Sequence, residues 1–251
     1  MPMLVVERLN KTFKGGLFEK DRQVLFDVSF SLPAGETCGF VGGNGQGKTT
    51  TIKCLFEFIR ADSGKVLFFG NALGPKEKKR IGYLPERPYL YEFLTAREFL
   101  RLHWDLSQAG SFSEFQEMAP KVLKRVELDH VIDRPLRSFS KGMLQRAGLA
   151  QALIHRPDLL ILDEPMSGLD PDGRLLVKEL LRDEKKRGAG IFFSSHLLQD
   201  MDELCSHLTV IDGGRIRHDG TVEGFRNEHP DLEQAFRAWR LKDRSSTGGS
   251  R

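Results

Sequence analysis

Residues 42–50 read Gly42-Gly43-Asn44-Gly45-Gln46-Gly47-Lys48-Thr49-Thr50, set between the apolar Cys38-Gly39-Phe40-Val41 and the helix-like Thr51-Ile52-Lys53-Cys54-Leu55. A glycine-rich loop between a strand and a helix turns its backbone N–H groups inward, and the helix that follows aims its positive N-terminal end at the same point. Such a loop cradles phosphate, and the strand–loop–helix unit it needs constrains the fold to an α/β class. Lys48 supplies a mobile charge for the β- and γ-phosphates, and the Thr49 hydroxyl is placed to ligate Mg²⁺. All nine residues from Gly42 to Thr50 are candidate nucleotide contacts.

The rest of the chain reads as the sheet that such a loop requires. Leu4 to Arg8, Val24 to Ser31, Lys65 to Phe69, Leu159 to Leu162, Ile191 to Phe193 and a hairpin about Gly213-Gly214 have strand character. Ile52, Leu55, Phe56 and Ile59 space a helix that stops at Asp62-Ser63-Gly64, and Asp170-Pro171 opens another that Gly188 closes. From Thr95 to about Ala152 the period is helical, carried by Phe99, Leu102, Trp104 and Leu106, then Val122, Leu123, Val126 and Leu128. The expected fold is therefore α/β, with a phosphate-loop core on a mainly parallel sheet, an N-terminal antiparallel β subdomain and an inserted helical subdomain. The expected divisions are 1–94 and 156–225 for the two parts of the phosphate-loop core, 95–155 for the helical subdomain, and 226–251 for a short helix with a disordered polar tail from Lys242.

Bulk properties exclude several classes. The net charge of +3, from 38 Lys plus Arg against 35 Asp plus Glu, is too small and too evenly spread to argue for a nucleic-acid partner. No apolar run approaches the roughly 18–20 residues of a membrane span. The opening Met1-Pro2-Met3-Leu4-Val5-Val6-Glu7-Arg8 lacks a signal-peptide layout, and Cys38, Cys54 and Cys205 share no ligand or redox spacing, so a reduced cytosolic setting with buried thiols is expected.

A second motif complements the loop: the buried strand Leu159-Leu160-Ile161-Leu162 ends in Asp163-Glu164. Asp163 would hold Mg²⁺ and Glu164 would polarise the water that attacks the γ-phosphate. Phe139-Ser140-Lys141-Gly142-Met143-Leu144-Gln145-Arg146 stands before that pair, and Ser167-Gly168-Leu169-Asp170 and Ser194-Ser195-His196 follow it. From Phe13 to about Gly220, this ordered set resembles the ATP-binding cassette (ABC) ATPases.

The resemblance implies a role for each matching position. Phe13 would stack on adenine, Ser140 and Gly142 would close over the γ-phosphate held by an opposite subunit, Asp170 would act across that interface, and His196 would contact the γ-phosphate. Lys141 replaces the usual glycine, leaving open an extra charge near phosphate or a solvated side chain. Glu86, in Ile81-Gly82-Tyr83-Leu84-Pro85-Glu86, stands where glutamine is common; its oxygen keeps metal ligation and its missing amide puts water positioning in question. The stretch after Glu86 resembles the branch that pairs with export-type permeases. The implied cofactors are ATP and Mg²⁺. The implied partners are membrane permease subunits and a second ATPase subunit, which places the chain peripherally on the cytoplasmic face of the membrane. A weakly hydrolysing regulatory subunit and a soluble non-transport ATPase are the alternatives. Independently of family, Tyr83, Tyr89 and Tyr91 fall within nine residues among Pro85, Pro88 and Phe93, a composition suited to an interface loop.

Overall fold

The computed structural model describes residues 1–16, 20–88 and 90–247. Tyr89 and residues 248–251 lie outside them. In order, the elements are β1 (Leu4–Phe13), β2 (Arg22–Leu32), β3 (Thr37–Val41), α1 (Lys48–Leu55), β4 (Ser63–Phe68), α2 (Pro75–Lys78), β5 (Ile81–Leu84), α3 (Ala96–Ser107), α4 (Phe112–Arg125), α5 (Lys141–Leu153), β6 (Leu159–Leu162), α6 (Pro171–Lys186), β7 (Gly190–Ser194), α7 (Leu198–Leu204), β8 (His207–Asp212), β9 (Arg215–Thr221), α8 (Val222–Arg226) and α9 (Leu232–Thr247).

A six-stranded sheet of order β5-β6-β7-β3-β8-β9 is parallel except for the β8–β9 hairpin, and a three-stranded antiparallel sheet of order β2-β1-β4 lies beside it. β3, β6 and β7 are mostly apolar and buried on both faces, as central parallel strands must be, with Thr37 and Ser194 as buried polar ends. Phe30, Phe40 and Phe192 pack ring against ring between the two sheets, with centroids 5.6, 5.4 and 5.2 Å apart. This stack fixes the antiparallel sheet, and so Phe13 at its tip, relative to the strands that carry the phosphate loop.

The inserted helices stand where their period predicts. Thr95 and Ser111 cap α3 and α4, and the Glu98 and Glu114 carboxylates accept in return from the cap residues' own amides, which satisfies amides that the first helical turn leaves open. Phe99, Trp104, Phe115, Val122 and Leu123 form the lobe's core.

Leu106, which with Phe99 and Trp104 marks the helical period, is 70% exposed and lies off the buried face of α3 that Phe99, Leu100 and Trp104 define. Two expectations are corrected. The helix after the phosphate loop ends at Leu55, not near Asp62, because Glu57 adopts φ +59° and turns the chain out. The chain past Lys242 is helical through Thr247 as the end of α9, because Phe236 and Trp239 anchor that helix against Phe225.

Candidate functional site

Parallel strands deliver their C-terminal ends to one edge, which is where ligands bind in such sheets. β3 ends in the phosphate loop, β6 ends in Asp163-Glu164 and β7 ends in Ser194 ahead of His196. Gly42 sits where a Cβ would come within 2.4 Å of the Ile211 carbonyl oxygen, and Gly47 caps α1 at φ +107°, so neither position accommodates a side chain. Lys48 is buried, and its Nζ donates to the carbonyls of Gly42 at 2.6 Å and Gly43 at 3.3 Å, which holds the ammonium inside the loop. Gln46 ties the loop to the β8–β9 hairpin: its Oε1 accepts from the Gly213 amide at 2.6 Å and its carbonyl accepts from the Gly214 amide at 3.2 Å. Gln46 is thus an anchor for the loop.

The two acids share one hydroxyl. Ser194 Oγ donates to Asp163 Oδ1 at 2.6 Å and accepts from the Glu164 amide at 2.9 Å. Asp163 is 2% exposed, and burial raises its pKa above the ordinary carboxyl value. The Ser194 and Thr49 hydroxyls oppose that rise, and the charges of Glu86 and Glu164 add to it. Glu164 holds φ +52°, a left-handed backbone uncommon outside glycine, and its Oε2 meets His196 Nδ1 at 2.8 Å. Gln145 on α5 donates to the Glu164 and Pro165 carbonyls at 3.4 and 3.2 Å and so fixes the turn behind the acid.

A cleft of about 810 Å³ joins Phe13, Gly43, Asn44, Gly45, Gly47, Lys48, Thr49, Thr50, Glu86, Asp163, Glu164 and His196. Phe13 is 39% exposed, a large ring left open at the mouth of the cleft. Of the other five candidates, Gly42 and Gln46 belong to the loop without lining the cleft, and the structure does not bring the remaining three there. Ser140 caps α5 through the Met143 amide at 3.2 Å, Asp170 caps α6 through the Gly173 amide at 2.9 Å, and Gly142 lies on the same exposed turn as Ser140. The Lys141 stem lies over Gly168, where a Cβ would meet its Cε at 2.7 Å, so the side chain packs on its own chain's 167–170 loop.

Arg22, Val24 and Ser167 also line the cleft and were not anticipated. Arg22 is the cross-strand partner of Phe13, a signal that becomes readable only once the β1–β2 register is known. Ser194 and Gln145 lie inside motifs already noted, yet their bonds to the acids depend on the sheet.

Thr49, Asp163 and Glu86 offer the hard oxygen donors that a divalent cation takes. Three carboxylates (Glu86, Asp163, Glu164) face two permanent cations (Arg22, Lys48), so a bare triphosphate would meet net repulsion that Mg²⁺ relieves. The donor set therefore fits that ion. Among the described residues no group of three or more His, Cys, Asp and Glu is arranged to hold a metal alone; Mg²⁺ usually combines one or two carboxylates with substrate phosphates.

Comparison with known proteins gives the same assignment. The family model described as ABC transporter matches residues 25–167. An uncharacterized ABC transporter ATP-binding protein of Nostoc sp. is 41% identical over 88% of this chain and 67% of its own length. A lantibiotic transport ATP-binding protein of Streptococcus pyogenes is 33% identical over 93% of this chain and 96% of its own. A solved structure described as the ATP-binding subunit of an ABC transporter superposes with a TM-score of 0.83 at 31% identity, covering 94% of this chain and 98% of that one. The chain therefore belongs to the ABC transporter family, as an ATP-binding subunit that hydrolyses ATP.

Proposed function

We propose that this subunit hydrolyses Mg²⁺-ATP in a composite site formed by two chains, and that the cycle drives export through a separate membrane permease. The observation that carries the reading is the separation of the motifs: Ser140 and Asp170 are exposed, and Gly142 is half-buried, at helix starts outside the cleft that holds Lys48, Glu164 and His196. A second copy supplies them, since a helix N-terminus with a serine hydroxyl is a ready partner for phosphate. The partner is a homologous or identical ATPase subunit.

Phe13 stacks on the base, the loop amides and Lys48 hold the phosphates, and Thr49 and Asp163 with Glu86 hold Mg²⁺. That ion neutralises developing charge on the phosphates when bound. Glu164 accepts the proton of the attacking water, and His196 orients Glu164 through the 2.8 Å contact. Export is supported by the permease-type stretch after Glu86 and by the similarity to the lantibiotic transport protein. The groove bordered by Tyr83, Pro88 and Leu90 receives the permease, and Tyr91 and Phe93, which follow Leu90 in the chain, are 53% and 73% exposed. No helix among the described residues is long and apolar enough to cross a membrane, and a permease contact holds the subunit at the cytoplasmic face.

A phosphate-release assay tests the reading. The wild-type chain turns over ATP, and Glu164→Gln retains nucleotide binding while losing roughly 100- to 10,000-fold in rate. A Glu164→Gln protein of unchanged rate would remove Glu164 from the chemistry.

A further inference from the structure

Lys141 is exposed at the first position of α5, and the sequence left two roles open for it, an extra charge near phosphate or a solvated side chain. The structure gives it a third. A Cβ built on Gly168 would stand 2.7 Å from Lys141 Cε, 2.9 Å from its Nζ and 3.3 Å from its Cδ, so the end of the stem rests directly on the Gly168 backbone. The ammonium does not account for this placement. Among the described residues Lys141 Nζ has no ion pair and no hydrogen bond, and its charge stands at the positive end of the helix dipole with no acid in that turn to offset it. Long charged side chains lay their methylenes over a surface while the head stays in water, and Lys141 is used in that way.

The loop under the stem has few other fastenings. The Ser167 amide donates to the Glu164 carbonyl at 3.0 Å, the Leu169 amide reaches the Met166 carbonyl only at 3.4 Å, and the Gly168 amide has no acceptor among the described residues. Gly168 is exposed at φ +73°, a backbone that keeps its freedom unless a neighbour covers it. Leu169 secures the same loop from inside, its Cδ2 standing 3.5 Å from where a Gly142 Cβ would be. Four residues along α5 from Lys141, and so on the same helix face, Gln145 donates to the Glu164 and Pro165 carbonyls at 3.4 and 3.2 Å. The helix that Ser140 caps therefore grips this segment at two points, Gln145 behind the acid and Lys141 over the loop.

From these contacts we infer that Lys141 is a positioning residue: its stem fixes the 167–170 loop to the turn of Ser140 and Gly142, so that both meet a second chain as one preformed face. The inference rests on the two-chain reading above and adds how each chain readies its half of the contact. Ordering the loop beforehand removes an entropy loss that association would otherwise carry.

The test compares Lys141→Ala, which removes the stem, with Lys141→Met, which keeps most of its length and removes the charge. In the nucleotide-free full chain, amide hydrogen exchange at 167–170 should quicken about tenfold in Lys141→Ala and stay within about twofold of wild type in Lys141→Met. Each substitution is then combined with Glu164→Gln, and ATP-driven dimer formation is followed by light scattering. The Ala form should need about five- to tenfold more ATP for half-maximal dimer, and the Met form should match the Glu164→Gln parent. All three should bind a fluorescent ATP analogue equally when too dilute to dimerise, because Lys141 lies outside the cleft. Wild-type exchange in Lys141→Ala overturns the contact, and faster exchange with unaltered dimer formation overturns the preformed face. Equal impairment by Ala and Met moves the role to the ammonium and overturns the stem. If Glu164→Gln with Lys141 intact forms no dimer at saturating ATP, the two-chain reading falls and the preformed face with it, while exchange in the monomer still decides the contact.

Discussion

At the scale of single residues, Ser194 Oγ ties the two acids together: it donates to Asp163 at 2.6 Å and accepts from the Glu164 amide at 2.9 Å. Ser194→Ala leaves Asp163 buried without that donor. The variant should lose roughly 10- to 100-fold in ATP turnover, as groups that orient site ligands do. Its stability should fall by about 1–3 kcal/mol, measured by urea denaturation beside the phosphate assay. Turnover at the wild-type level would show that the acids orient themselves. His103 gives a pH dependence. Its folded pKa of about 4 lies below the ordinary 6.5, so between these values the unfolded chain binds more protons and stability falls as pH drops from 6.5 toward 4. The contribution is on the order of 2 kcal/mol after allowing for solvent screening. His103→Gln should flatten that part of the stability profile, and an unchanged slope would place the acid sensitivity in other groups. The structure gathers Asp163, Glu164 and His196 in one cleft; the sequence offered the two acids as a pair at a strand end and His196 through the family resemblance. Ser194 was not legible there, because a serine at a strand end has no distinctive spacing, and its partners are 30 and 31 residues away.

At the scale of elements, the phosphate loop is stiffened by the β8–β9 hairpin rather than by its own composition. Gly43 has room for a side chain, its nearest contact being Gln46 Cγ at 3.5 Å, whereas Gln46 is tied at both its side chain and its carbonyl. Gln46→Ala should weaken ATP binding about 3- to 10-fold, the equivalent of one hydrogen bond, with the thermal midpoint nearly unchanged. A fluorescent-nucleotide titration reads this, and equal affinity would mean that the hairpin does not order the loop. Most strands and helices were readable from period, and the misses have local causes. Buried positions on β1 run Leu4, Val6, then Leu9, and on β2 they run Leu25, then Val28, Phe30 and Leu32. Each change of parity falls at a residue of positive φ, Arg8 and Asp27, where the pairing register shifts. The slip is present in the sequence as a broken alternation, but which residue takes the bulge is decided by cross-strand pairing.

At the scale of the whole molecule, a buried carboxylate links the two lobes. Glu184 of α6 is 3% exposed and meets Arg125 of the helical lobe at 2.7 Å and Arg187 of the core at 2.7 Å. Glu184→Ala leaves two guanidinium groups facing each other and should cost about 3 kcal/mol in urea denaturation; a loss below 1 kcal/mol would show that the lobes are held by apolar contact alone. The Glu184–Arg187 pair has the i,i+3 spacing of a helical ion pair, but no sequence spacing marks the link to Arg125, which lies on the far side of α5 in the chain. The same scale carries the central claim, that a hydrolytic site is completed by a second chain. Glu164→Gln and Ser140→Arg should each abolish turnover as pure proteins. Mixed in equal amounts, they form hybrid dimers in which one site pairs an intact cleft with an intact signature, so activity returns to about a quarter of wild type for independent sites in a two-fold dimer. A mixture that stays as inactive as its components, with hybrid dimers demonstrated by differential tags, would contradict the composite site.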